Sequence, residues 1–162
     1  MTITTYGYKG PLPNPDFRQQ VADEVMPPFM DVISGEVSAT VSRSLGVARF
    51  KGRVKRVIMS VAADGAADTP DNTPRISGEV TINKTSIFTT KPSIGHISGE
   101  TPAHKTTFSE NADTGVVAAV INESASSFNP GDIIDWTAIY SGSANPGNKI
   151  QSPGILVEVE PV

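Results

Sequence analysis

Two histidines, His96 and His104, are the only imidazoles in this 162-residue chain, which contains no cysteine. Glu100 or Glu110 can be imagined as a third metal ligand, but the interval between the histidines is neither His-x-His nor His-x₃-His. Both read as loop histidines, and no metal is expected. The segment Asp64-Gly65-Ala66-Ala67-Asp68-Thr69-Pro70-Asp71-Asn72 offers oxygens for calcium. It lacks the alternating ligand spacing of a calcium loop and has no closing glutamate, and Asp, Gly, Asn and Pro are ordinary turn formers. No serine sits in Gly-x-Ser-x-Gly, and so few histidines leave a Ser-His-Asp triad little to draw on. Asp132, Asp135, Glu158 and Glu160 could supply a glycosidase-like carboxylate pair, yet they occupy the polar positions of alternating strands or a strand-entry turn. A phosphate-binding glycine loop is also missing. The expectation is a protein that is not an enzyme and carries no cofactor.

The charge feature that stands out is Arg49, Lys51, Arg53 and Lys55, spaced by two and so expected on one face of one strand. Four aligned cations repel one another unless acids lie opposite. Glu36, Glu158 and Glu160 are candidates for that role. The row could instead protect a sheet edge from unwanted pairing, or meet the acidic surface of another subunit.

The elements that must position these groups are strands. Ile134, Trp136, Ala138 and Tyr140 share one face of a strand by the two-residue period, with Asp135 and Thr137 on the other. Ile155, Val157 and Val159 face one way in the last strand, and Glu158 and Glu160 the other. Val37, Ala39 and Val41 alternate with polar residues, and Val80 and Ile82 point inward from a strand over 76–83. Val116 to Ile121 reads as an apolar strand, and Phe128-Asn129-Pro130-Gly131-Asp132 as the turn into the Trp136 strand. The stretch Arg49 to Val61 alternates strictly, loses its phase at Lys55-Arg56 and then becomes continuously apolar. A β-bulge near Arg56 or a passage into a buried position explains this equally. About seven or eight strands with turns between them predict an all-β antiparallel sandwich or barrel.

Residues 1–30 differ. Gly10-Pro11-Leu12-Pro13-Asn14-Pro15 must be extended. Asp16 can cap one short helix over 17–26, which Pro27-Pro28 ends. Tyr6, Tyr8, Leu12 and Phe17 are too apolar for a purely solvated tail, so an extended N-terminal arm is expected to pack on its own domain or on a neighbouring subunit, with 31–162 forming the sandwich domain. A net charge of −4 and a pI near 5.1 argue against nucleic acid as the main partner. No apolar run approaches the length of a membrane span, and no basic and apolar leader opens the chain, so synthesis in a cytoplasm is expected.

From Val57 to Val61 the chain passes through a small-residue loop to Gly78-Glu79-Val80-Thr81-Ile82-Asn83-Lys84-Thr85-Ser86-Ile87-Phe88-Thr89-Thr90-Lys91-Pro92. Together with the later Val116 to Ile121 segment, the Phe128 to Asp132 turn and the Trp136 strand, this order resembles the β-sandwich domains of phage head-decoration, head-fibre and tail proteins. The resemblance covers roughly residues 50 to 160. It implies a jelly-roll-like sandwich, often a homotrimer, on the surface of the virion. The expected function is capsid decoration: a cement protein that binds the major capsid protein on the outside of the head and stabilises it. Tyr6, Tyr8, Leu12 and Phe17 would anchor the arm, and Arg49, Lys51 and Arg53 would add an electrostatic contact. The alternative is a carbohydrate- or receptor-binding adhesion module of a fibre or tail, with its site on the loop 141–148 beside Trp136 and Tyr140.

Overall fold

A computed structural model describes residues 28–65, 73–97, 99–108, 114–142 and 149–162. The expected arm anchors Tyr6, Tyr8, Leu12 and Phe17 and the short helix over 17–26 therefore lie outside the described residues. In chain order the strands begin with β1 (Phe29–Val32), β2 (Glu36–Val37), β3 (Val41–Val47), β4 (Gly52–Val61), β5 (Arg75–Ile82), β6 (Thr85–Ser86), β7 (Phe88–Thr90) and β8 (Ser93–Gly95). They continue with β9 (Lys105–Thr106), β10 (Val116–Val117), β11 (Val120–Ile121), β12 (Ser127–Phe128), β13 (Ile133–Ser141), β14 (Ile150–Gln151) and β15 (Gly154–Pro161). One 3₁₀ turn, Glu123–Ala125, is the only helical element among the described residues. The protein is an all-β antiparallel sandwich. Val116 to Ile121 is not one strand but two short ones, because β10 pairs with β8 while β11 crosses to β7.

The first sheet has the order β1-β15-β4-β12, with β9 also on β4, and the second has the order β10-β8-β5-β13-β3, with β6 on β5. Alternation decides what lies between them. Val54, Val57, Met59, Val61, Ile155 and Val157 face inward from the first sheet, and Ile76, Val80, Ile82, Ile94, Ile134, Trp136 and Ala138 from the second. All are buried and belong to a single core. Gly78 lets the two layers approach: a Cβ there would lie 3.2 Å from the Met59 sulfur.

The phase slip in β4 is a bulge. Arg56 pairs with Glu158 but Val54 with Val159, so Lys55 is the extra residue. Burial flips with it: Gly52 and Val54 are buried before the bulge, and Val57, Met59 and Val61 after it. One inserted residue thus keeps the apolar side chains inward on both halves of a ten-residue strand. The hairpin from β5 to β6 closes through Asn83 and Lys84, both at positive φ (49° and 69°), the geometry of a two-residue type I′ turn. Asn83 Nδ2 donates to Asp132 Oδ1 at 2.7 Å, and Asn83 Oδ1 accepts from the Ile133 N–H at 3.0 Å. The two turns that frame the quoted sequence pattern therefore brace each other.

Candidate docking surface

β1 follows Pro28 at once and takes the edge of the first sheet, in register with β15 from Phe29↔Val157 to Val32↔Gly154. Its outward residues are apolar: Met30 is 67% exposed and Val32 56%. Across the sheet Met30 aligns with Leu156 and then Ile58, and Val32 with Gly154 and then Ser60. Because Gly154 has no side chain, the surface dips between its neighbours. His104 and Thr106 complete the rim of a shallow hollow of about 620 Å³.

Farther along the same outer face the character changes from apolar to charge-paired. Arg56 grips Glu158 through two hydrogen bonds, Nε at 3.0 Å and Nη2 at 2.7 Å, and its guanidinium lies 5.0 Å from the centre of the Phe108 ring. Arg53 pairs with Glu160. The first sheet thus shows solvent a face that is apolar at one end and laced by ion pairs at the other. An exposed apolar patch rimmed by polar groups is a common mark of an interaction surface.

The basic row predicted for one strand is divided. Arg49 and Lys51 fall in the turn between β3 and β4, exposed and without an ion-pair partner among the described residues, while only Arg53 and Lys55 lie on β4. Edge protection does not apply, because β4 lies between β15 on one side and β9 and β12 on the other. Of the acids proposed to lie opposite, Glu160 does so for Arg53 and Glu158 for Arg56, whereas Glu36 binds Lys149 Nζ at 2.7 Å. The Lys149 ammonium lowers the Glu36 pKa below its ordinary value, mainly through that hydrogen bond.

Sequence reasoning missed β1 and the apolar row it completes. The clues were the Phe29-Met30-Asp31-Val32 alternation and the consecutive apolar run at Ile155 to Val157, which can bury only every second side chain. The carbohydrate reading placed its site beside Trp136 and Tyr140: Tyr140 is half-buried, while Trp136 is 1% exposed and its Nε1–H donates to Asp31 Oδ2 at 2.9 Å. Trp136 is a core residue.

One ionisable cluster also escaped notice. Asp64 and His96, expected in a solvated turn and a loop, are buried together with Lys105, with His96 Nδ1 3.2 Å and Lys105 Nζ 2.9 Å from Asp64 Oδ2. Three His, Asp or Glu side chains converging as metal ligands do not occur among the described residues. Neither protein-family models, curated proteins nor solved structures yield a match to this chain.

Proposed function

We propose that this chain is a structural phage virion protein that decorates the outer capsid surface and stabilises the head, acting without catalysis. The observation that carries the reading is the half-apolar outer face of the first sheet, with Met30 and Val32 on an edge strand that begins where the arm ends. The resemblance of residues 50 to 160 to decoration and head-fibre sandwiches supplies the partner, the major capsid protein, and a jelly-roll-like connectivity. Decoration works by bridging: each copy covers surface on more than one capsid subunit, so its removal must break several contacts together. A homotrimer presenting three arms and three apolar faces multiplies modest single contacts into firm attachment. Arg49 and Lys51, free of ion pairs among the described residues, can add an electrostatic contact. The adhesion reading is the weaker one, since Trp136 is not available to stack on a sugar.

The test is co-sedimentation of the purified protein with heads of its own phage stripped of decoration. Wild type should pellet with the heads. Met30→Lys with Val32→Lys places charge on the apolar row but leaves the core intact, so it should weaken binding at least about tenfold while stability changes by less than about 0.5 kcal/mol. Removal of residues 1–28 should have a comparable effect. Binding that survives both changes, or a wild-type protein that ignores heads, refutes the proposal.

A further inference from the structure

The chain that follows β4 runs beside β9: the Asp64 N–H donates to the Ala103 carbonyl at 3.0 Å, and the Ala103 N–H donates back to Asp64 Oδ1 at 2.8 Å. This lays the Asp64 carboxyl against the Lys105 amine, whose Nζ lies 2.9 Å from Asp64 Oδ2 and 2.8 Å from Glu100 Oε2. The same nitrogen reaches the Thr114 carbonyl at 2.9 Å and the Gly95 carbonyl at 3.4 Å. Asp64 is fully buried, and Lys105 and His96 are each 5% exposed. Burial pulls the Lys105 pKa down, but hydrogen bonds to Glu100 and Asp64 outweigh it and move it above the ordinary lysine value. The resting state is thus an ion pair, with Asp64, His96 and Lys105 buried and the Glu100 side chain 33% exposed at its rim.

Every group required for amide formation is in place. The amine is the nucleophile, and it is held in contact with the carboxyl group it would attack, Nζ lying 2.9 Å from Asp64 Oδ2. Asp64 Oδ1 is held by a backbone N–H, which stabilises negative charge as the carbonyl carbon becomes tetrahedral. Asp64 Oδ2, the oxygen to be expelled, is held by His96 Nδ1 at 3.2 Å. Glu100 is a carboxylate base in contact with the amine.

We propose that Lys105 Nζ and Asp64 Cγ become joined by an intramolecular isopeptide bond once the sandwich has folded. Glu100 takes one proton from the ammonium, and the freed amine attacks Asp64 Cγ. The C–Oδ2 bond then breaks, and Oδ2 departs as water with two of the three ammonium hydrogens, one of them relayed by Glu100. The third stays on the amide nitrogen, Oδ1 becomes the amide oxygen, and Glu100 returns to its carboxylate. The charges of the pair cancel, no oxidant is used, and burial keeps water from reversing the step. In a chain without cysteine this bond would play the part of a disulfide, tying the end of β4 to β9.

Intact-mass spectrometry of the folded protein, followed by trypsin, is the experiment. The mass should be lower than the sequence mass by one water. Residues 57–75 should then appear covalently attached to a peptide in which trypsin has failed to cut at Lys105. A succinimide at Asp64-Gly65 also removes one water but leaves Lys105 open to trypsin, and that result overturns the proposal. Lys105→Arg and Asp64→Ala should each restore the full mass, and Glu100→Gln should slow accumulation of the lighter species at least tenfold. Wild-type protein that is folded by circular dichroism, yet keeps its full mass after days of incubation between pH 5 and pH 8, also overturns it.

Discussion

Replacing Trp136 with Phe tests whether the indole holds β1 onto the second sheet. Its Nε1–H donates to Asp31 Oδ2 at 2.9 Å, and Arg43 Nε lies 3.7 Å from the same oxygen. The Asp31 side chain is 25% exposed. A hydrogen bond to a charged acceptor contributes roughly 1.5–3 kcal/mol when dry, and partial exposure reduces this to about 1–2 kcal/mol. The smaller phenyl ring also leaves unfilled volume where Trp136 is 1% exposed, at a further cost of about 1–2 kcal/mol. Trp136→Phe should therefore destabilise the protein by about 2–4 kcal/mol. The bond is isolated by a double-mutant cycle with Asp31→Ala, measured by urea denaturation at pH 7 and followed by circular dichroism. A coupling of about 1–2 kcal/mol is expected. Amide exchange should also quicken along β1 in both single variants. A coupling below about 0.3 kcal/mol would show that Trp136 is held by packing alone, and the reasoning would fail.

Two further outcomes follow from the same geometry. Deleting Lys55 removes the bulge residue and lets the ladder close: Gly52, Val54 and Val57 then alternate without a break and keep their inward face and their register with β15. Deleting Lys55 and Arg56 together instead joins Val54 to Val57, so either Val54 turns outward and Arg53 inward or one half of β4 slips. The double deletion should cost at least about 2 kcal/mol by chemical denaturation, whereas deletion of Lys55 alone should cost less than about 1 kcal/mol and Lys55→Ala less than about 0.5 kcal/mol. The Asn129 N–H, at 2.7 Å, and then the Asn83 amide hold the Asp132 pKa below its ordinary value. A depressed carboxyl pKa contributes stability above the unfolded-state pKa, near 3.9, and loses it as pH falls through the folded value. Asp132→Ala should melt below wild type at pH 7, and the gap should narrow in melts carried down past pH 3.9.

Much of the fold was legible because it depends on local periodicity. The Trp136 strand, the last strand and the Phe128 to Asp132 turn are written in alternation and turn chemistry, and even the bulge appears as a slipped phase at Lys55-Arg56. Among the described residues, eight strands of three or more residues match the expected count, and the other seven are two-residue pairings that no short apolar run announces. Long-range events were not legible. β1 looked like the end of the arm because Pro27-Pro28 reads as a break, and its partner β15 lies at the far end of the chain. Asp64, His96 and Lys105 each fit a turn or loop taken alone, and only the approach of the chain after β4 to β9 gathers them. The exposed apolar row was hidden for another reason: Ile58 and Leu156 sit beside inward apolar residues, and a continuous apolar run does not say which member faces water.

The position of β1 also has a mechanical meaning. It lies antiparallel to β15 with Phe29 beside Val157 and Val32 beside Gly154, so residues 1–28 join the sandwich at the end where β15 runs on toward Pro161. Tension applied at Phe29 along the axis of β1 loads its pairings with β15 together, as shear, with the Trp136–Asp31 bond set as a pin between β1 and the second sheet. A pull across the strand would instead peel it away one pair at a time. Resistance to such force is governed by the rate at which the joint opens rather than by its equilibrium stability. A load carried in this way through β1 would be released in one abrupt step rather than pair by pair.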